Sequence, residues 1–273
     1  MNTNAGRPVA MAIRLDRLSK QFGDFVALDG LSLEVRKGCI FGLLGPNGAG
    51  KSTAIKILTT LLDPSTGAAE VGGFDVAHHP VDVRRRIGYV PQLLSADGAL
   101  TAQENLTLSA RLYGLRSAAL RERVQEALEF AGLTAMAGQL VRTFSGGMVR
   151  RLEIAQATLH HPEVLFLDEP TIGLDPAARR TVWDRLLTLK HKLGTTILIT
   201  THDMEEAEFL CDELAILHQG QLAIAGQPLS LKAQVGPKAS LSDVFVHFSG
   251  ATIDAGGHAR DVRESRDASL RRG

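Results

Sequence analysis

Residues 45–53 read GPNGAGKST. Before them stands CIFGLL (39–44), apolar without alternation, and behind them runs AIKILTTLL, with Ile55, Leu58 and Leu62 at helical spacing. This order predicts a strand covered on both faces, a loop, and a helix that ends in the turn chemistry of DPSTG at 63–67. In that setting G-x-x-x-x-G-K-[ST] reads as a phosphate cradle. Gly45, Gly48 and Gly50 reach backbone angles that other residues avoid, so the N–H groups of the loop Gly45-Pro46-Asn47-Gly48-Ala49-Gly50 can converge on a β-phosphate. The helix start adds its positive dipole end. Lys51 supplies a point charge to the β- and γ-phosphates, the Ser52 hydroxyl can ligate Mg²⁺, and Thr53 completes the run. An ordinary glycine-rich turn needs neither the lysine nor the hydroxyls.

The flanking chain predicts an α/β fold. IRLDRL (13–18) and LSLEV (31–35) alternate as half-buried strands do, with VALDG (26–30) as the connection between them. EVLFLDEP (163–170) and TTILITTHD (195–203) are short apolar runs ending in polar residues. A helix lies between them, with Asp175 as cap, Pro176 at its first position and Gly194 as its stop. Strand, helix, strand in this order predicts a doubly wound, mostly parallel sheet with ligands at the strand carboxyl ends. From about residue 93 to residue 140, β-branched residues thin out and helix formers dominate, predicting a helical insertion. Within it SAALRERVQEALEFAG starts at Ser117 as a cap, carries Leu120, Val124, Leu128 and Ala131 on one stripe, and stops at Gly132. AILHQGQLAIAG (215–226) reads as a hairpin. Residues 251–273 mix Arg, Asp and Gly without periodicity and read as a disordered tail.

Composition narrows the function. The chain has 273 residues and zero net charge, so it lacks the basic excess of a general nucleic-acid binder. Two cysteines are too few for a disulfide framework. No signal-peptide pattern opens the chain, and no run approaches the roughly 18 apolar residues that span a bilayer. These features predict a cytoplasmic chain whose work at a membrane would need another polypeptide. His78-His79 and His160-His161 are adjacent pairs without the i,i+4 spacing of metal ligands.

Three further stretches bear on the chemistry. The strand ending in Asp168 and Glu169 releases paired carboxylates, Asp168 placed to hold a metal through water and Glu169 to polarise an attacking water. His202 ends another buried strand, where a donor can meet a γ-phosphate. Gln92, after Tyr89-Val90-Pro91, could reach metal or water.

FSGGMVRRLEIA (144–155) resembles the signature motif of ATP-binding-cassette (ABC) ATPases, usually LSGGQ. The other family parts follow in order: Phe22 where an aromatic stacks on adenine, the glycine loop, the Gln92 loop, the signature, the strand to Glu169, GLDP at 173–176, and His202. The resemblance covers about residues 12–250, with a helical subdomain at about 93–160. It implies a P-loop NTPase (RecA-like) core with an N-terminal antiparallel β subdomain. It also implies ATP and Mg²⁺ as cofactors, with Ser52, Gln92 and Asp168 at the metal and Lys51, Glu169 and His202 at the reacting phosphate. The family pairs two ATPase subunits head to tail, a homodimer or a paralogous pair. Each ATP then lies between one glycine loop and the partner's Ser145, Gly146 and Gly147, with Asp175 at the seam and also capping a helix. Ser145 as a plain helix cap would not explain two glycines in the first turn. Met148 stands where glutamine is usual and cannot supply a polar contact.

The arginines after SGGM and the ending LSDVFVHFSG (241–250) are most similar to one branch of the family. It holds the daunorubicin-resistance-type, polysaccharide and Nod-factor exporters and sodium-export relatives, whose membrane subunit is a separate chain. The resemblance thus implies a cytoplasmic exporter subunit held at the inner membrane face by a permease. Leu106, Leu108 and Leu112 either line a docking groove for that permease or belong to the core. The alternative function is a soluble cassette ATPase acting on ribosomes or nucleic acid. Those usually carry two cassettes or a long coiled-coil insert.

Overall fold

The computed structural model describes residues 10–249; the predicted disordered tail, 251–273, lies outside them. Two sheets and a helical unit make up the fold. β1 (Met11–Phe22) pairs antiparallel with β2 (Phe25–Arg36) and with β4 (Thr66–Val71), and β5 (Phe74–Asp75) extends that sheet to the order β2-β1-β4-β5. The long hairpin corrects the expectation for VALDG: residues 26–30 lie inside β2, and the chain turns at Gly23-Asp24 instead. Register shifts along β1 blur the alternation that would have revealed this.

The second sheet has the order β10-β9-β3-β8-β7-β6. It consists of β3 (Ile40–Leu44), β6 (Ile87–Val90), β7 (Val164–Asp168), β8 (Thr196–Thr201), β9 (Glu213–His218) and β10 (Gln221–Gly226). All its neighbours run parallel except the β9–β10 hairpin. β3, β7 and β8 are buried at every residue, which is why they carry unbroken apolar runs. One face packs with the antiparallel sheet and α1 (Lys51–Leu58) through residues such as Phe41, Ile55 and Phe166. The other packs on α6 (Pro176–Leu193) through Trp183, Leu186 and Ile199. Each fully buried leucine of this kind contributes about 1.5–3 kcal/mol relative to an exposed one. α1 ends at Leu58, a turn earlier than its leucine spacing predicts, where Thr60 takes φ 61°.

The helical insertion comprises α3 (Ala102–Leu112), α4 (Ser117–Ala131) and α5 (Gly146–Thr158) around a core with Leu106, Val124, Leu128 and Leu152. Leu106 is therefore core, whereas Leu108 and Leu112 are exposed. Thr101 and Glu104 form a reciprocal capping box that starts α3. Ser117 does not cap α4: it is the first helical residue, at φ 53°, and Arg116 holds the cap position without a side-chain bond. Gly132 does end α4 in the left-handed conformation, as Gly194 ends α6. Three stretches left unassigned by the sequence patterns are also helical: α2 (Pro80–Arg86), α7 (Met204–Leu210) and α8 (Pro228–Val235). The ending LSDVFVHFS forms α9 (Leu241–Ser249), whose Leu241, Val244 and Phe245 are buried against the core sheet's second face.

Candidate functional site

Strand order decides where the chemistry gathers. β8 lies between β3 and β7, with Leu44 opposite Thr201 and Asp168 opposite Thr200. The next residues of these strands therefore emerge side by side: the glycine loop from β3, Glu169 from β7 and His202 from β8. This is the carboxyl edge where open α/β sheets hold ligands.

The loop from Gly45 wraps the start of α1. A Cβ on Gly50, at φ 101°, would lie 2.5 Å from the Ala27 carbonyl, so no side chain fits there. Lys51 is 5% exposed, and its Nζ donates to the carbonyls of Gly45 at 2.7 Å and Pro46 at 3.2 Å. That ammonium lies 3.7 Å from Glu169 Oε1. Burial pulls its pKa down, while Glu169 and Asp168 oppose that shift. The cleft at this loop, about 160 Å³, runs from Asn47 to Thr53 with Glu169 at its floor. Its aromatic wall is Phe25, which faces Phe22 across the β1–β2 turn. The Phe22 ring is half exposed, with Lys20 Nζ 5.2 Å from its centroid. A larger groove, about 590 Å³, lies between α4, α5 and α6, but its walls mix arginines with glutamates and carry no phosphate cradle.

Hard oxygen donors stand together beside Lys51. Ser52 Oγ donates to Asp168 Oδ1 at 3.2 Å, and Thr200 Oγ1 donates to the same oxygen at 2.5 Å. One hydroxyl and one carboxylate fit Mg²⁺, which keeps waters and substrate phosphates as its remaining ligands. Thr200 went unnoticed in the sequence, yet its hydroxyl also accepts the Glu169 amide at 3.0 Å. That bond matters because Glu169 sits at φ 49°, a left-handed conformation costing a glutamate about 1–2 kcal/mol. The Glu169 amide also reaches the Thr200 carbonyl at 3.1 Å. The strained backbone thus turns the Glu169 carboxylate into the cleft.

His202 Nδ1 stands 3.1 Å from Glu169 Oε2. The hydrogen bond with His202 holds the Glu169 pKa below its ordinary value, and the same bond raises that of His202. The pair is complete between those two values. Its contribution is fully present for His202 below pH 6.5 and is lost as pH rises through the raised value. His202 is 55% exposed at its side chain, so the pair contributes less than about 1 kcal/mol. In ring-proton NMR titrations His202 is expected to titrate above 6.5, and to return toward 6.5 in Glu169→Gln. A His202 that titrates at 6.5 in both would show that the pair does not form.

Behind these residues lies a further carboxylate, one that the sequence patterns did not reveal. Glu206, on α7, is 1% exposed and accepts from Thr171 Oγ1 at 2.7 Å and Trp183 Nε1 at 2.9 Å. Burial pushes its pKa up. It ties the segment after Glu169 to α6.

The signature residues sit elsewhere. Ser145 caps α5 by accepting from Met148 N at 3.3 Å, and Asp175 caps α6 by accepting from Ala178 N at 2.9 Å. The two capped ends pack together: a Cβ on Gly147 would lie 2.7 Å from Ala178 Cβ, whereas one on Gly146 would meet Leu174 at an ordinary 3.5 Å. Helix packing therefore explains Gly147 but not Gly146. Met148 is half-buried against the helical core. Gly147→Ala is expected to cost about 1–3 kcal/mol and lower Tm by several degrees. Gly146→Ala should keep its Tm within a degree or two and lose turnover. Equal Tm losses in the two variants would remove the distinction. Gln92 lies in the loop after β6, exposed, with its carbonyl bonded to Arg150.

Comparison with known proteins agrees with this geometry. The family model described as ABC transporter matches residues 28–172. The chain is 45% identical over 219 residues to the Nod factor export ATP-binding protein I of Ralstonia nicotianae, covering 80% of this chain and 68% of that one. It is 45% identical over 236 residues to the daunorubicin/doxorubicin resistance ATP-binding protein DrrA of Streptomyces peucetius, covering 86% and 70%. A solved ATP-binding subunit of an ABC transporter superposes with TM-score 0.78 at 33% identity, over 87% of this chain and 99% of that one. A dimeric post-hydrolysis state of the cassette MJ0796, bound to ADP and Pi, gives TM-score 0.72 at 28% identity, over 79% and 98%.

Proposed function

Because the chain belongs to the ABC transporter family as an ATP-binding, ATP-hydrolysing subunit, we propose that two subunits close head to tail on two ATP molecules to drive export through a separate permease. The observation that carries this reading is the division of the phosphate contacts between two places. The glycine loop, Lys51, Asp168, Glu169 and His202 share one strand edge, while the capped α5 start, with its exposed Ser145 and Gly146, packs on Leu174 and Ala178. No acidic residue lies in the first turn of α5, so no carboxylate competes there for the helix dipole, and the exposed Gly146 end can face a partner's γ-phosphate while Ser145 holds the Met148 amide. Residues 12–250 act as one ATP-binding domain in this reading.

The chemistry is phosphoryl transfer to water. Loop amides and Lys51 hold the β- and γ-phosphates in line. Glu169, ionised and fixed by Thr200 and His202, accepts a proton from the attacking water. His202 and Lys51 place positive charge where the transferring oxygens gain negative charge. Ser52 and Asp168, with Gln92 as a further candidate ligand, would hold Mg²⁺, which when bound would neutralise charge on the phosphates. Phe22 and Phe25 offer faces for the adenine. Exported compounds are named for the relatives, and similarity at 45% identity supports export as the direction here.

Among the described residues no helix is long and apolar enough to cross a membrane. In this reading the permease is a separate polypeptide that holds the subunit at the inner membrane face. Exposed Leu93, Leu108 and Leu112 suit its contact. Purification of the tagged chain from solubilised membranes tests this: an integral membrane protein that co-purifies in stoichiometric amount supports it, and ribosomes or nucleic acid in its place would overturn it.

A further inference from the structure

The arginine after the signature residues has a task that neither the family motif nor the catalytic geometry assigns. Arg150 and Glu153 lie one turn apart on α5, 3.1 Å between NH1 and Oε2, each side chain 2% exposed. Both reach out of the helix to the same loop. Arg150 donates from NH1 to the Pro91 carbonyl at 2.7 Å and from NH2 to the Gln92 carbonyl at 2.7 Å. Glu153 Oε1 accepts from the Ser95 amide, from Ser95 Oγ at 3.2 Å and from the Ala96 amide at 3.2 Å. The grips close on either side of Leu93 and Leu94, which are 82% and 52% exposed and so give the loop no apolar anchor of their own.

We propose that the Arg150–Glu153 pair is a positioning clamp that fixes the Gln92 loop to the signature helix, so that Gln92 moves toward or away from the nucleotide only with α5. The proposal rests on the ATP-site reading above. An irregular loop presents bare carbonyls and amides, which an apolar contact would leave unsatisfied. A guanidinium fork matches two successive carbonyls, and a carboxylate accepts two successive amides. The hold continues past the clamp. Asn105, on α3 and 3% exposed, accepts from the Asp97 amide at 3.0 Å and donates to the Asp97 and Thr101 carbonyls at 2.9 and 3.1 Å. Gln156 of α5 donates to Ser109 Oγ at 3.0 Å. Although the loop leaves the core sheet at Val90, its side-chain ties among the described residues run to the helical unit. Gln92 stands at the junction, and the clamp decides which body it follows.

The test uses the full chain with Arg150→Lys, Glu153→Gln and Gln92→Ala, and the double variant of Arg150 and Gln92. Two readouts are taken: amide exchange by mass spectrometry, and the Mg²⁺ concentration that half-saturates ATP turnover. In Arg150→Lys, exchange at residues 92–97 is expected to rise about tenfold with α5 and β7 unchanged, and half-saturating Mg²⁺ to rise several-fold. Glu153→Gln keeps an acceptor oxygen and should show the same changes at smaller size. The double variant should turn over ATP no more slowly than Gln92→Ala alone, because both changes remove the same contact. Unchanged exchange at 92–97, exchange that spreads through α5 and β7, or losses that multiply in the double variant would each overturn the clamp. If the unaltered chain hydrolyses no ATP, the site reading falls, and amide exchange alone still decides for or against the clamp.

Discussion

Glu169→Gln is expected to hydrolyse ATP about a thousandfold more slowly than the unaltered chain while binding ATP at least as well. The structure gives the reasons for both halves. The substitution keeps side-chain length, and the φ 49° backbone is held by bonds from the main-chain N–H to Thr200, which the amide side chain does not disturb. What disappears is the carboxylate that accepts the water's proton. Removing one negative charge 3.7 Å from Lys51 also lessens repulsion toward a γ-phosphate, so affinity should hold or improve. Single-turnover hydrolysis beside equilibrium ATP binding checks the prediction. Turnover within tenfold of the unaltered chain would remove Glu169 from its role as base.

Lys51→Met should act on binding as well as on the reaction. The ammonium is the one buried cation within reach of both the loop carbonyls and Glu169 among the described residues, and the methionine stem fills the same space without charge. Losing it removes a charge contact that strengthens as the phosphoryl group departs, worth several kcal/mol of barrier and thus about a thousandfold in turnover. ATP affinity should fall by at least about tenfold. The fold should survive. Burial already disfavours the charged lysine, and Lys51 itself lines the cleft at the glycine loop, so water can enter where the ammonium stood. Calorimetry and thermal melts separate these effects. A variant that binds ATP normally, or one that does not fold, would contradict the account.

The parts of the site that could be read from sequence are those whose meaning is local. The loop from Gly45 to Ser52 carries its own strand, turn and helix start, and Asp175 with Pro176 marks a helix within three residues. VALDG misled because a hairpin with register shifts hides its alternation, so a residue pair that usually turns lies inside β2. Ser117 misled because a serine before an apolar stripe is usually a cap, yet here it is the first helical residue, at φ 53°. Thr200, Glu206 and the Arg150–Glu153 pair stayed hidden for a different reason. Their partners lie between 23 and 59 residues away in the chain, and no periodicity records such a contact. Only the order β3-β8-β7 and the packing of α5 beside the Gln92 loop bring them together.

In the proposed cycle a second subunit completes the ATP site. The most direct measurement is the mass of purified Glu169→Gln by light scattering, with and without saturating Mg-ATP. A monomer is expected without nucleotide and a mass twice as large with it, as slow hydrolysis leaves the head-to-tail pair closed on two ATP molecules. A mass that stays monomeric at saturating Mg-ATP would contradict a self-complementary pair.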